Sequence, residues 1–300
     1  SWCSQRRERR TSVVDKLSHD EAVALAAQHG LRRVDQAAAF SAYIRECWHL
    51  RHFTWNYAVS RTILETINNR LGLLWQVLNP LLLSGVYYFA FGIILGTKKD
   101  SPDFSVFLVG GVFTWQLFAS TLQNGSMVLA QTKDLTDSLR FPRVLLPIAV
   151  AIQESLGALG AAVVMYPIAL AYGLTPTWQW LLLPLSFMAT SLFGLGVAFF
   201  TSRWVDRVFD LRQFIPLVLR VGMFLSGVFY DVNTRFAKAP HVVQVVANYN
   251  PAAILLKLTR AVFLPYELPT SGQLIWISAL SVSLILGGFL VFWRGERRNG

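Results

Sequence analysis

The chain has 300 residues, 54% hydrophobic and 15% charged, with 21 Phe, 10 Trp and a formal net charge of +10. That balance excludes a disordered chain and an ordinary water-soluble globular one, and it places the sequence among membrane proteins. Six apolar stretches between Leu71 and Trp293 are long enough to cross a hydrocarbon core about 30 Å thick, which takes roughly 20 helical residues. Lone segments satisfy their backbone in lipid only as helices, so the predicted class is all-α and polytopic.

In chain order, residues 1–47 form a basic, then polar and Ala-rich extension. Ser18–Glu21 reads as a helix-capping box with Gly30 as its stop. No apolar core follows the early arginines, so a cleaved export signal is not expected. The two cysteines, Cys3 and Cys47, precede the first crossing and are expected as free thiols in a reducing compartment. Residues 48–70 predict an amphipathic helix: Leu50, Phe53, Tyr57 and Ala58 recur at helical spacing, with Trp48 and Trp55 nearby. Arg51, Arg61 and Arg70 are spaced to reach lipid headgroups from a helix lying in the interface plane.

The apolar core, 71–293, is predicted to cross at Leu71–Gly96, Phe104–Ala130, Val144–Tyr172, Trp178–Ser202, Leu211–Tyr230 and Gly272–Trp293, ahead of a tail at 294–300. With the N-terminus inside, 11 Lys/Arg precede Leu71, and Lys133, Arg140, Arg143, Arg203, Arg207, Arg212, Arg294, Arg297 and Arg298 join them. Outside stand only Lys98, Lys99, Arg235, Lys238, Lys257 and Arg260, so both ends are expected in the cytoplasm. The basic surplus then speaks of orientation and anionic lipid, not of nucleic acid. Two inside loops stand out, Gln131–Arg143, closed by Phe141-Pro142, and Arg203–Arg212, whose charges alternate at ion-pair spacing. Within 232–264, His241–Tyr249 and Ala252–Leu264 are each too short to cross. They hinge at Asn250-Pro251, where Pro251 lacks a donor and biases Asn250 away from helix, so a re-entrant hairpin is predicted.

Reaction machinery is missing from the sequence. It has no phosphate-binding G-x-x-x-x-G-K-[ST] loop, no H-E-x-x-H and no G-x-S-x-G elbow, and its five histidines outline no metal site. Such a chain is expected to be a conduit, without a catalytic residue, metal or cofactor of its own. Two charges sit inside predicted crossings at similar depth, Glu154 and Arg220, and are expected to face each other or a hydrated path. Tyr87, Tyr88, Phe91, Trp115, Phe118, Phe224 and Tyr230 are candidate lining residues, because aromatic faces give sliding contacts to sugar C–H surfaces.

The run Asn69–Gly96, with L-G-L-L-W-x-x-L-N-P-L-L leading into an aromatic stretch, resembles the first span of permease subunits of ATP-binding-cassette exporters for bacterial surface polysaccharides, the O-antigen, teichoic acid and galactan type. The likeness continues, in order, through Asp134–Arg143, the R-W-V-D-R-V-F-D loop, and the Asn250-Pro251 hinge with Arg260 downstream, covering about residues 48–298. The resemblance implies a homodimer in the bacterial plasma membrane with two separate ATPase subunits, which bind ATP and Mg. Its cargo would be a lipid-pyrophosphate-linked polysaccharide. It further implies that Gln131–Arg143 is the coupling loop, with Lys133, Asp134, Leu135, Arg140, Phe141 and Pro142 as contacts to the ATPase. Leu50–Asn69 would be an interfacial gate helix and Val232–Leu264 an outer gate hairpin. The family's Arg-Tyr pair before Leu-Gly is replaced here by Glu65–Asn69, leaving Arg61 and Arg70 as substitutes for its headgroup contact. A same-architecture exporter of drugs or lipids, and a membrane enzyme acting on polyprenyl-linked lipids, are the competing readings.

Overall fold

The structure, a computed structural model, describes residues 40–67, 74–94, 96, 103–132, 141–208 and 210–299. The capping box, Cys3, Arg70, and Lys133, Asp134, Leu135 and Arg140 of the expected coupling loop lie outside the described residues. Every regular element among the described residues is helical. α1 (Phe40–His49) and α2 (Arg51–Ile67) precede α3 (Leu74–Tyr87), which continues as a π-helical stretch over Tyr88–Ile94. α4 (Phe104–Gln131), α5 (Leu145–Ala171) and α6 (Leu183–Arg207) are the long central helices, α6 being led in by a 3-10 turn at Trp178–Leu182. Then come α7 (Leu211–Leu225), α8 (Val232–Arg235), α9 (His241–Asn248), α10 (Pro251–Arg260) and α11 (Ser271–Asn299).

Among the described residues, five helical segments are long and apolar enough to cross a membrane: Val77–Ile94, Phe104–Gln131, Leu145–Ala171, Trp178–Arg207 and Ser271–Glu296. The chain is a multi-pass helical membrane protein. Over the expected crossing Leu211–Tyr230 the helix runs for 15 residues, Leu211–Leu225, about 22 Å at 1.5 Å per residue. Its helix stops because Gly227 takes φ +81°, a left-handed turn that side chains resist. Beyond it the chain folds back, and Tyr230 OH donates to the Phe224 carbonyl at 3.1 Å.

α4 is the axis of the bundle, packing on α3, α5, α6 and α10, with most of its length buried. Two apolar clusters mark its ends. Phe104, Phe107, Met165, Trp180, Val228 and Phe263 gather at one end. Val128, Leu129, Val144, Leu145, Phe199 and Phe292 gather at the other. Between the helices, Ser155 donates to Ser191 at 2.8 Å, and Ser191 to the Ala151 carbonyl at 3.1 Å. Hydroxyls of this kind join helices where lipid supplies no hydrophobic drive. α6 and α11 approach closely at Gly288, where a Cβ would stand 2.8 Å from Phe199 Cδ2 and closer still to its Cβ.

At the second end, α1 and α2 pack onto the bundle. Tyr43, Thr54 and Ala58 are buried, and Leu50 and Tyr57 meet the second cluster. The stripe read from the sequence at Leu50, Tyr57 and Ala58 therefore faces protein, while Trp48, Trp55, Ile63 and Leu64 stay exposed. Arg51 donates to the Trp48 carbonyl at 3.1 Å and lies 5.1 Å from its ring. Burial pushes the Cys47 thiol up to about 12, with the Glu296 and Glu46 carboxylates adding to the shift.

Two measurements check this packing. Replacing Gly288 by Ala forces Phe199 aside and should cost about 1–3 kcal/mol, read as a lowered unfolding temperature in detergent. Cys47 holds its proton at neutral pH, so its thiolate fraction is roughly a thousandfold below that of an ordinary cysteine. Alkylation of Cys47 in the folded protein should be correspondingly slow at pH 7, and should still rise about tenfold per pH unit at pH 9, where an exposed thiol levels off.

Candidate functional site

α4 is apolar on most faces but carries Gln116, Ser120, Gln123 and Asn124 along one of them, at spacings of four, three and one. At 3.6 residues per turn these form a single polar stripe. Gln116 is exposed although it lies near the middle of a 28-residue crossing helix. An amide held in hydrocarbon without partners costs several kcal/mol, so this face borders water or another polar surface.

Two cavities flank the stripe and share Gln116, Ser120 and Asn124. The smaller, about 220 Å³, is lined also by Trp75, Asn79, Phe113, Glu154 and Phe187. The larger, about 500 Å³, is lined by Leu83, Tyr87, Trp115, Gln123, Pro216, Arg220 and Met223. Both open to the surface of the bundle. The first lies between α3, α4 and α5, and the second between α3, α4 and α7. Trp75, Asn79 and the four stripe residues were not among the sequence candidates. The signal that reveals them is polar side chains at helical spacing within an otherwise apolar span.

Glu154 and Arg220 thus stand on neighbouring cavities joined by the stripe. Asn124 Nδ2 donates to Glu154 Oε1 at 2.7 Å. Arg220 is exposed on α7, its side chain bordering the larger cavity. The two charges share one polar face of α4 through Asn124.

The candidate aromatics divide into two groups. Tyr87 and Trp115 line the larger cavity. Phe91 stacks on Phe229 at 4.6 Å, Tyr87 meets the same ring edge-on at 4.5 Å, and Phe224 lies 5.2 Å from it. Phe118 packs between Trp115, at 5.4 Å, and Phe193, at 5.7 Å. Tyr88 stacks on Phe104 at 6.5 Å. Phe224 is exposed and half-buried Tyr230 is bonded back to it, so α7 ends in an aromatic collar.

The hairpin elements α9 and α10 meet at Asn250-Pro251. Asn250 caps α10 by accepting the Ala252 N–H at 3.1 Å, and Pro251 takes the first helical position, where its missing donor costs nothing. α10 is buried, whereas α9 buries no residue. Arg260 anchors the hairpin. Its Nε donates to the Phe107 carbonyl at 3.1 Å, and Nη2 donates to the Gly227 and Val228 carbonyls at 3.1 and 2.8 Å. The guanidinium also lies 3.4 Å from the Phe107 ring centroid. One cation therefore ties the end of α7 and the hairpin to the first turn of α4. Behind it, burial raises the Glu267 carboxyl, with Arg260 partly opposing the shift.

At the opposite end, Phe141 packs 5.5 Å from Phe53 of α2, and Pro142 is buried just before α5. Arg61 lies half-buried on α2.

A protein-family model for ABC-2 type transporters matches residues 55–264. The chain belongs to the ABC-2 type transporter family. Among curated members, the O-antigen export system permease protein RfbA of Myxococcus xanthus is 26% identical over 222 residues, 74% of this chain and 84% of that one. A Klebsiella pneumoniae protein of the same name is 28% identical over 198 residues, 66% of this chain and 74% of its own. As an ABC-2 transporter, the chain is the membrane component of its system, and the matched stretch contains both cavities and the Arg260 anchor.

Cysteine labelling separates the hydrated face from the lipid face. In a chain whose native cysteines are Ser, Gln116→Cys should react with a charged, water-soluble thiol reagent in intact vesicles. Leu286→Cys, on the exposed apolar side of α11, should not.

Proposed function

We propose that this protein is the transmembrane subunit of an ATP-driven exporter that carries a lipid-linked cell-surface polysaccharide out of the cytoplasm. The observation that carries the reading is the polar stripe of α4 with its two open, polar-lined cavities, in a chain of this family. Amides and hydroxyls at Gln116, Ser120, Gln123 and Asn124 exchange hydrogen bonds with sugar hydroxyls at little net cost. Tyr87 and Trp115 offer ring faces to sugar C–H surfaces. Contacts of this kind are repeated and weak, which suits a chain that must keep moving. Two relatives named as O-antigen export permeases support the same cargo class.

The rest of the machine follows from this reading. The protein sits in the inner membrane as a multi-pass subunit, and two copies face each other across the α3–α4–α7 side. ATP and Mg are bound and used by two separate ATPase subunits. Gln131–Arg143 receives their motion, with Lys133, Asp134, Leu135, Arg140, Phe141 and Pro142 in contact. Six crossings are supported by where α7 begins and ends. The chain leaves α6 beside Arg203, whose guanidinium lies on Gly295 of α11, and reaches Gly227 and Val228 on Arg260 at the other end of α4. A 15-residue helix with a bend at each end makes that passage. Tyr43 bonded to Glu296 supports an arrangement with both chain ends on one side, and the charge bias along the sequence favours the cytoplasm for it. The hairpin with Asn250, Pro251 and Arg260 then lies outside as a gate, and Arg61 and Arg70 lie at the inner headgroups.

Exporters of small apolar molecules hold their cargo in closed apolar pockets, and the polar lining and open shape here favour the glycan. The test is reconstitution with the ATPase subunit and a lipid-linked glycan. ATP should drive glycan out of reach of an enzyme confined to the cytoplasmic face. Phe141→Ala combined with Pro142→Ala should leave hydrolysis running while export falls at least tenfold. Export that survives this loss of docking contacts overturns the assignment.

A further inference from the structure

The last crossing helix ends in a knot that none of the features above requires. Glu296 Oε1 accepts the backbone N–H of Arg143 at 2.8 Å and the hydroxyl of Tyr43 at 3.2 Å. The donors belong to two other segments. Arg143 closes the Gln131–Arg143 loop just before α5 begins at Leu145. Tyr43 is the buried residue of α1.

The start of α5 has no side-chain cap of its own. The carboxylate reaches it from a position 153 residues away in sequence. It holds the N–H of Arg143, the residue before the N-cap Val144, and lies near the positive end of the helix dipole. On the neighbouring residue, Gly295 lies directly under the Arg203 guanidinium of α6, which a side chain at that position would have to push aside. The end of α11 is therefore wedged against α6 while its acid holds α1 and the loop exit.

We propose that Glu296 is a positioning residue that locks the exit of the ATPase-facing loop to α1 and α11, so that a push on the loop moves all three together. The inference rests on the reading of 131–143 as the coupling loop. Its physical basis is the kind of bond involved. Packed rings such as Phe53 and Phe141 tolerate sliding, because dispersion has no preferred direction across a flat contact. A carboxylate shared between a main-chain N–H and a phenol does not, because hydrogen bonds are directional and weaken steeply once the donor angle falls below about 120°. Movement of Arg143 therefore drags Glu296 and Tyr43 or breaks the bond.

The experiment uses the full complex with its ATPase in vesicles and reads glycan exported per ATP hydrolysed, with unfolding temperature and hydrolysis rate measured alongside. Glu296→Ala should lower export per ATP at least tenfold while hydrolysis stays within twofold of the unmodified complex. Glu296→Gln keeps an acceptor oxygen and should stay within threefold. Tyr43→Phe keeps the ring and loses one of the two bonds, and should lower the ratio two- to fivefold. Should Glu296→Ala fail to assemble, Tyr43→Phe decides alone. An unchanged ratio in the variants that assemble, while the Phe141 and Pro142 variant uncouples, overturns the lock and leaves the coupling loop standing. If the Phe141 and Pro142 variant also leaves the ratio unchanged, the coupling-loop reading fails first.

Discussion

The architecture turns on the cost of keeping amides in a membrane. Gln116, Ser120, Gln123 and Asn124 share one face of α4, the helix against which α3, α5, α6, α7 and α10 pack. If that face met lipid, each side chain would forfeit hydrogen bonds worth several kcal/mol relative to water. A helix bundle avoids this by closing over the stripe or by leaving it open to water. Here α5 and α6 close over the apolar faces of α4, and the stripe is left between two open cavities. The short α7 and α3, each with an internal proline, border that opening rather than sealing it.

The two ends of the bundle solve different problems with single charged residues. At one end, a guanidinium collects two carbonyls of the Gly227 turn, where the ending of α7 leaves acceptors without partners, and a third from Phe107 of α4. At the other, a carboxylate collects donors from a helix start and a phenol. Arg suits the first because its planar fork reaches several carbonyls at once. Glu suits the second because a carboxylate oxygen accepts from two directions. Each knot fixes a chain end of the bundle, and the cavities lie between them.

Much of the fold was legible in the sequence because bilayer thickness writes itself into segment length. The crossings at Phe104, Val144, Trp178 and Gly272 lie within a few residues of the helices found, since apolar length and polar boundaries carry that information. Leu211–Tyr230 reads as apolar to its end, but Gly227 stops the helix near residue 225, a local backbone requirement that hydropathy does not register. The site was less legible. Attention to charges found Glu154 and Arg220, and attention to rings found Tyr87 and Trp115. The stripe went unread because isolated Gln, Ser and Asn residues barely lower the hydropathy of a 28-residue span. Several rings expected along a path, Phe91 and Phe118 among them, pack on other rings instead, because aromatic area is as useful for holding helices together as for touching sugar.

A conduit without reaction chemistry must receive its work from outside, and the distribution of rigidity shows how such work can travel. The long helices are fastened to each other by hydroxyl-to-carbonyl bonds and close contacts such as Gly288 on Phe199, which resist relative sliding. α3, by contrast, contains Pro80 and a π-helical stretch, and α7 contains Pro216 and ends early. Proline and π turns weaken the regular ladder and allow bending. α3 and α7, which border the polar opening, thus carry breaks in the regular ladder, as does α5 at Pro167, while α6 and α11 are held by close contacts. On the proposed reading, a displacement entering at the α5 start would change the width of that opening, which is the change that a long, weakly held chain needs in order to pass.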